Sequence, residues 1–357
     1  MAACLSRIMN LFLLNNNSSI FMKVLFFAIF SSIVFSCNSA QNATAQKKDN
    51  VAYAKTITAE DLQKHLYVYA GDAMEGRMTG TKGQKLAAEY IRNFYMDEGI
   101  ESPIEKNNYY QNIPQSYFEG RKDPKSSENV VAFIKGSEKP DEIIVISAHL
   151  DHVGVDSKGN VFNGADDDGS GTVAILEIAQ AFQKAVKDGN GPKRSILFLH
   201  VTGEEIGLYG SRYYTENPLF PLENTVCNLN IDMIGRIDPE KKDSPNYIYL
   251  IGSNKLSQEL QDVSSEVNEK YTQLELDYKY DDPNDPNRFY YRSDHYNFAK
   301  NNVPIIFYFN GVHEDYHKIT DTPDKIEYDL MEKRARLIFY TAWEIANREK
   351  RIIADKL

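Results

Sequence analysis

The chain has 357 residues, 42% of them hydrophobic, and a formal net charge of −11. That composition supplies ample apolar material for one large core. No basic stripe interrupts the acidic balance, which argues against a nucleic-acid partner.

The amino terminus reads as a targeting segment. Met22-Lys23 opens a short apolar stretch over residues 24–35, which ends at Ser36-Cys37. A basic start, an apolar core and a small residue before cysteine form the pattern of a lipoprotein-type secretory signal. The stretch is too short for a comfortable transmembrane helix. We therefore expect residues 1–37 to be a signal segment, with Met22 its more ordinary start. Cys37 would carry a lipid that anchors an exported protein to a bacterial cell envelope. Residues 38–52, rich in Asn, Ser, Ala, Gln and Lys, read as a flexible tether. Residues 53–357 then form a single domain in which Cys227 is the one cysteine, excluding an internal disulfide. In a strand it reads as a small core residue.

Helical spacing predicts helices over residues 58–70, with Thr58 as cap, and 83–98, with Leu86, Ala87, Tyr90, Ile91 and Phe94 on one face. Strands are expected at 130–134 and 142–147, followed by a helix at 169–187. Further strands follow at 195–201, 225–231 and 247–251, then a helix at 257–270. Residues 281–292, polar and containing Pro283 and Pro286, read as an active-site loop. A short helix at 294–300, a strand at 305–309 and a long helix at 324–348 carrying Trp343 close the chain.

Several apolar runs end in metal-binding residues: His149-Leu150-Asp151, Asp166-Asp167-Asp168, Glu204-Glu205, Asp232 and His317. Continuous apolar runs suit strands buried on both faces of a mainly parallel sheet. In such sheets ligands bind beyond the carboxyl ends of the strands. His149 and His317, with Asp166, Glu205 and Asp232, make a mixed nitrogen and oxygen donor set that suits zinc better than calcium or magnesium. Five ligands exceed what one catalytic zinc takes, but satisfy two if one carboxylate bridges. Glu204 precedes the candidate ligand Glu205 and is placed to take a proton from water as general base.

Taken in order, His149-Leu150-Asp151, the segment Gly164 to Gly171, the segment Gly203 to Ser211, Asp232-Met233 and Tyr316-His317 resemble the motifs of the di-zinc aminopeptidase family of metallopeptidases. That family includes glutamate carboxypeptidase II and the glutaminyl cyclases. The resemblance covers roughly residues 60–350, and Met74-Glu75-Gly76-Arg77-Met78-Thr79-Gly80-Thr81 is similar to its early signature. It implies an α/β fold, a three-layer αβα sandwich around a mixed, mainly parallel sheet. It implies two zinc ions per chain, one held by His149, Asp166 and Asp232, the other by Asp166, Glu205 and His317. Asp166 is then the bridge, Glu204 the base, and Asp151 the carboxylate that orients His149. A cis peptide is expected at Asp166–Asp167. Asp294 matches a position that lines the family's site, and Tyr316 is a candidate donor to a developing oxyanion.

Each motif alone has an ordinary reading as a turn, a helix cap or a solvated helix start. His152, His200, His295 and His313 are not expected among the ligands. His200 reads as a core residue, and His295 and His313 as candidates to flank the substrate. The leading function is an aminopeptidase acting on peptides. A glutaminyl cyclase is the alternative, but it uses a tryptophan-lined pocket, and this chain has one tryptophan. A non-catalytic relative, as in transferrin receptors, would have lost ligands. A carboxypeptidase or dipeptidase would need a basic residue for a terminal carboxylate, for which Arg292 or Arg236 would serve.

Overall fold

A computed structural model describes residues 50–118 and 126–356. The signal segment, Cys37 and the tether up to residue 49 lie outside these residues. Residues 50–52, expected in the tether, instead open helix α1 (Asn50–Ala54). Tyr53 and Ala54 are fully buried, and the Arg336 guanidinium donates to the Ala54 carbonyl at 3.1 Å.

The remaining helices are α2 (Ala59–Tyr69), α3 (Lys82–Glu98), α4 (Gly171–Lys187), α5 (Tyr209–Glu216), α6 (Gln258–Val267), α7 (His295–Ala299) and α8 (Tyr328–Asn347). The Thr58 hydroxyl caps α2 by accepting from the Asp61 N–H at 3.1 Å. Gly99, left-handed at φ 70°, ends α3 where a side chain would be strained. Helix α4 starts two residues later than expected, because the Asp168 carboxylate takes the Gly171 N–H at 2.9 Å and leaves residues 165–170 as a separate wide turn. Among the described residues no helix is long and apolar enough to cross a membrane.

The strands are β1 (Tyr110–Ile113), β2 (Ser127–Ile134), β3 (Lys139–His149), β4 (Arg194–Val201), β5 (Thr225–Ile231), β6 (Tyr247–Ile251), β7 (Glu275–Asp277) and β8 (Ile305–Phe309). They form one mixed sheet in the order β1-β2-β4-β3-β5-β8-β6-β7. Its centre, β4-β3-β5-β8, is parallel. Strands β2 and β6 run antiparallel to their inner neighbours. The two short edge strands, β1 and β7, and helix α5 carry no sequence pattern that announces them.

Alternate residues of β3 face opposite layers. Ile144, Ile146 and Ala148 pack with Leu62 and Leu66 of α2, Ile91 of α3, Ile178 of α4 and Ile338 of α8. Ile143 and Val145 pack with Tyr214 of α5 and Phe298 of α7. Each large aliphatic side chain so buried contributes about 1.5–3 kcal/mol. The sheet is therefore covered on both faces, and its carboxyl edge is left to carry polar side chains. Strand β3 pairs with β4 on one side and β5 on the other, so the crevice at its end is the topological switch point where such folds bind ligands.

Candidate metal centre

His149 is the last residue of β3 and is almost fully buried. Its Nε2 lies 3.1 Å from Asp167 Oδ1 and 3.6 Å from Asp232 Oδ1. Asp232 follows β5 and is held by the Ser293 hydroxyl, which donates to its Oδ2 at 2.6 Å. A second group adjoins the first. Glu205 Oε1 lies 2.8 Å from His152 Nδ1, and its Oε2 lies 3.0 Å from His317 Nε2. Asp167 Oδ2 is 2.9 Å from that same His317 nitrogen and 3.7 Å from His152 Nδ1. The donor atoms of His149, Asp167 and Asp232 lie within 4.8 Å of one another, as do those of His152, Asp167 and Glu205.

The carboxylate common to both groups is that of Asp167, one residue beyond the expected Asp166. Asp166 is turned away. Its Oδ1 accepts from the Gly235 N–H at 2.6 Å, its Oδ2 lies 3.2 Å from His313 Nε2, and its own N–H donates to Asp321. The sequence presents three consecutive aspartates, and only the backbone path of the turn decides which one faces inward. Gly164 sets that path at φ 54°, where a Cβ would come within 2.4 Å of the Asp167 carbonyl oxygen. The cis peptide falls at Asp167-Asp168, again one residue later than expected. The third aspartate, Asp168, braces the site by accepting from the backbone N–H groups of His149, Gly171 and Met233.

Asp151 also departs from expectation. His149 Nδ1 is 3.1 Å from the Asp151 backbone carbonyl but 3.9 Å from the carboxylate. The carbonyl therefore fixes the ring. The carboxylate accepts from the Thr79 hydroxyl at 2.6 Å and the Glu204 N–H at 3.2 Å, and so steadies the turn that carries Glu204 and Glu205. These neighbours have opposite electrostatics. Burial raises the Glu204 carboxyl well above its ordinary range. Burial also acts to raise Glu205, but His152 and His317 outweigh it and the net shift is downward.

Asp294 is buried and accepts from the Ser211 hydroxyl at 2.5 Å, which ties it to α5. Burial raises it to about 7. Tyr316 stacks on His317 with ring centroids 3.9 Å apart and lines a pocket of about 30 Å³. That pocket also touches Asp167, Glu204, Asp232, Met233, Phe289, Arg292, Phe307, Phe309 and Val312. The polar 281–292 loop thus delivers Phe289 and Arg292 to the site. A larger cavity of about 510 Å³ lies at the opposite, amino-terminal ends of β5 and β8 and gathers no comparable donors.

Four residues escaped the sequence reading. His152 is buried in the second group, and its only advance signal was its place directly after His149-Leu150-Asp151. Thr79 lies within the early Met74–Thr81 signature and Ser293 directly precedes Asp294, while Asp321 carried no signal. His295 and His313, expected beside the substrate, sit elsewhere: His295 stacks behind Phe307 at 4.5 Å, and His313 faces Asp166. His200 is a core residue whose Nε2 lies 2.7 Å from the Tyr95 hydroxyl. Cys227 is buried, and burial pushes its thiol up to about 12.

The early Met74–Thr81 motif has a definite job. Arg77 is fully buried and stacks on the Tyr69 ring at 4.7 Å. Its guanidinium donates to the carbonyls of Tyr69, Leu150, Asn163 and Gly164. It therefore ties the loop after His149 to the loop before Asp166.

The donor set fits a borderline metal ion. Apart from facing one another and His317, His149 Nε2, His152 Nδ1, Asp167 Oδ2 and Glu205 Oε1 are buried without a hydrogen-bond partner. Leaving such groups uncompensated is costly, and a coordinated cation compensates them. Imidazole and carboxylate donors without thiolate suit zinc.

A buried α/β switch point bearing paired His and carboxylate groups defines a metallopeptidase-like centre. The chain belongs to peptidase family M28, whose model matches residues 129–342. The mouse (Mus musculus) aminopeptidase NAALADL1 is 36% identical over 111 residues, covering 30% of this chain and 14% of that protein's length. LapB from Legionella pneumophila superposes with a TM-score of 0.65 at 20% identity, covering 84% of this chain and 75% of that one. A glutaminyl cyclase from Bacteroides thetaiotaomicron superposes with a TM-score of 0.61 at 16% identity, covering 82% and 99%. These superpositions establish the shared αβα fold.

Proposed function

We propose that this protein is a zinc-dependent exopeptidase, an aminopeptidase that removes amino-terminal residues from peptides at a two-zinc centre. The observation that carries the reading is the Asp167 carboxylate, with one oxygen toward His149 and the other toward His317. His149, Asp167 and Asp232 would hold one ion; Asp167, Glu205 and His317, with His152 alongside, would hold the other. Bound zinc supplies Lewis acidity, lowering the pKa of water and polarising the scissile carbonyl.

The protein's own groups do the rest. Glu204 lines the pocket without belonging to either donor group. It accepts the proton of the attacking water and returns it to the leaving amine. Carboxylates crowd this end of the pocket and favour a protonated substrate α-amine. Phe289, Phe307, Phe309 and Met233 enclose the substrate residue and exclude water. Tyr316 is placed to donate to the oxygen of the attacked carbonyl.

No tryptophan lines this pocket. Trp343 stacks on Tyr53 and Phe182 inside the α8 layer. This favours hydrolysis over cyclisation of amino-terminal glutamine. The experiment is metal analysis of the purified protein beside a panel of amino-acid arylamides, with and without a blocked amine. Two ions per chain and cleavage of unblocked substrates are expected. Pyroglutamate formation with no peptide cleavage would replace this reading with the cyclase.

We further propose export, with Cys37 acylated and residues 38–49 tethering the enzyme to a cell envelope. Mass spectrometry of the mature amino terminus tests it, and an intact leader or an unlipidated cut elsewhere would refute it.

A further inference from the structure

The pocket beside Glu204 contains one cation. Arg292 lines it together with Asp167, Glu204 and Asp232. Its guanidinium carbon sits 5.0 Å from the centre of the Phe289 ring, spread on the aromatic wall at the pocket rim. Despite the acidic surroundings, Arg292 forms no ion pair and no side-chain hydrogen bond among the described residues, and it remains exposed.

The other candidate cation is committed elsewhere. Arg236 donates to Asp315 at 3.0 Å, and Asp315 is also paired with Lys325 at 2.7 Å. Arg236 is spent on holding the loop before His317.

An arginine fork pre-aligned on an aromatic face, with its donors unused, is a receptor for a carboxylate. Two of the three acidic residues around it serve other partners. Asp232 takes the Ser293 hydroxyl, and Asp167 faces the histidines. The rest of the pocket is apolar, so a substrate residue enters with its aliphatic part against Phe307 and Phe309. Any anionic group it carries emerges at the rim.

We propose that Arg292 is a specificity-determining residue that binds a substrate carboxylate. This rests on the peptidase reading above and adds to it the class of preferred substrate. The carboxylate has two sources: the side chain of an acidic amino-terminal residue, or the free carboxyl terminus of a dipeptide.

The test uses zinc-loaded protein and its Arg292→Met and Arg292→Lys variants. One arm compares glutamyl with leucyl p-nitroanilide. The other compares Leu-Gly with its carboxyl-terminal amide. A hydrogen-bonded ion pair of this kind corresponds to about a 10- to 100-fold effect. In one arm, Arg292→Met should lower the ratio of kcat/KM for the acidic over the neutral substrate by that factor, mainly through KM. Arg292→Lys should restore part of it. The arm that responds identifies the source of the carboxylate.

Unchanged ratios in both arms overturn the proposal while leaving the peptidase reading intact. If the wild-type protein cleaves none of the four, the peptidase reading fails by itself. Arg292 is then judged by calorimetry, with L-glutamate against L-glutamine and L-leucine against leucinamide. A preference for the acid that Arg292→Met abolishes supports the proposal, and no such preference refutes it.

Discussion

Asp166 and Asp167 are consecutive, yet their carboxylates serve different structures: Asp167 faces His149 and His317, while Asp166 accepts from the Gly235 N–H and faces His313. The two substitutions should therefore separate cleanly. Asp167→Asn should bring the metal content below one ion per chain and abolish turnover. Asp166→Asn should retain metal while lowering thermal stability, because it weakens the brace behind the site. Elemental analysis and melting curves of both variants decide this. Metal loss confined to Asp166→Asn would return the bridge to that residue.

Glu204 and Glu205 divide in the same way. Glu204→Gln should keep the metals and the fold but lower kcat about 10²–10⁴-fold, the usual contribution of proton transfer. Glu205→Gln should instead raise the zinc concentration needed for activity, since its two oxygens face His152 and His317. Zinc titrations of each variant give the answer, and the reverse pattern would exchange base and ligand.

Arg77→Met removes a donor from four buried carbonyls, of which Leu150 keeps the Tyr69 hydroxyl and Gly164 keeps the Gly169 N–H. The Tyr69 and Asn163 carbonyls left without a partner cost about 1–3 kcal/mol each, so the loss should be about 2–6 kcal/mol. Denaturant unfolding measures it. A change below about 1 kcal/mol, roughly the size of ordinary surface effects, would mean that water replaces the guanidinium.

The fold also carries an acid-sensitive histidine remote from the candidate ligands' side chains. Burial pushes the His200 imidazole down to about 3. The folded chain thus binds fewer protons there than the unfolded chain, whose histidine titrates near 6.5. Its stabilising contribution is present above 6.5 and is lost as pH falls toward 3. His200→Gln preserves a polar partner for Tyr95 and removes the titration. Between pH 7 and pH 5 the wild type should lose about 2 kcal/mol more than the variant. His295, also pushed down to about 3 by burial, contributes equally in both proteins. Parallel stability curves for wild type and variant would contradict the prediction.

The sequence by itself determined the sheet and its chemistry. The apolar runs ending at His149, Val201, Ile231 and Phe309 become β3, β4, β5 and β8, because strands covered on both faces leave no room for polar alternation. The same runs deliver His149, Glu205, Asp232 and His317 to one edge, since parallel strands share a carboxyl end. Short edge strands were not legible, as β1 and β7 are too brief to show a period.

What only the tertiary structure decided lies in the turns. Which of three adjacent aspartates is shared by the two donor groups depends on the path after Gly164. That path is fixed by Arg77, distant in sequence, gripping the Asn163 and Gly164 carbonyls. That His152 joins Glu205, that the carbonyl rather than the carboxylate of Asp151 orients His149, and that Arg292 reaches the pocket while Arg236 does not, follow from the same cause. A strand carries its side chains in a fixed alternation that composition reveals. A turn aims each side chain by one or two dihedral angles, and these are set by partners far along the chain.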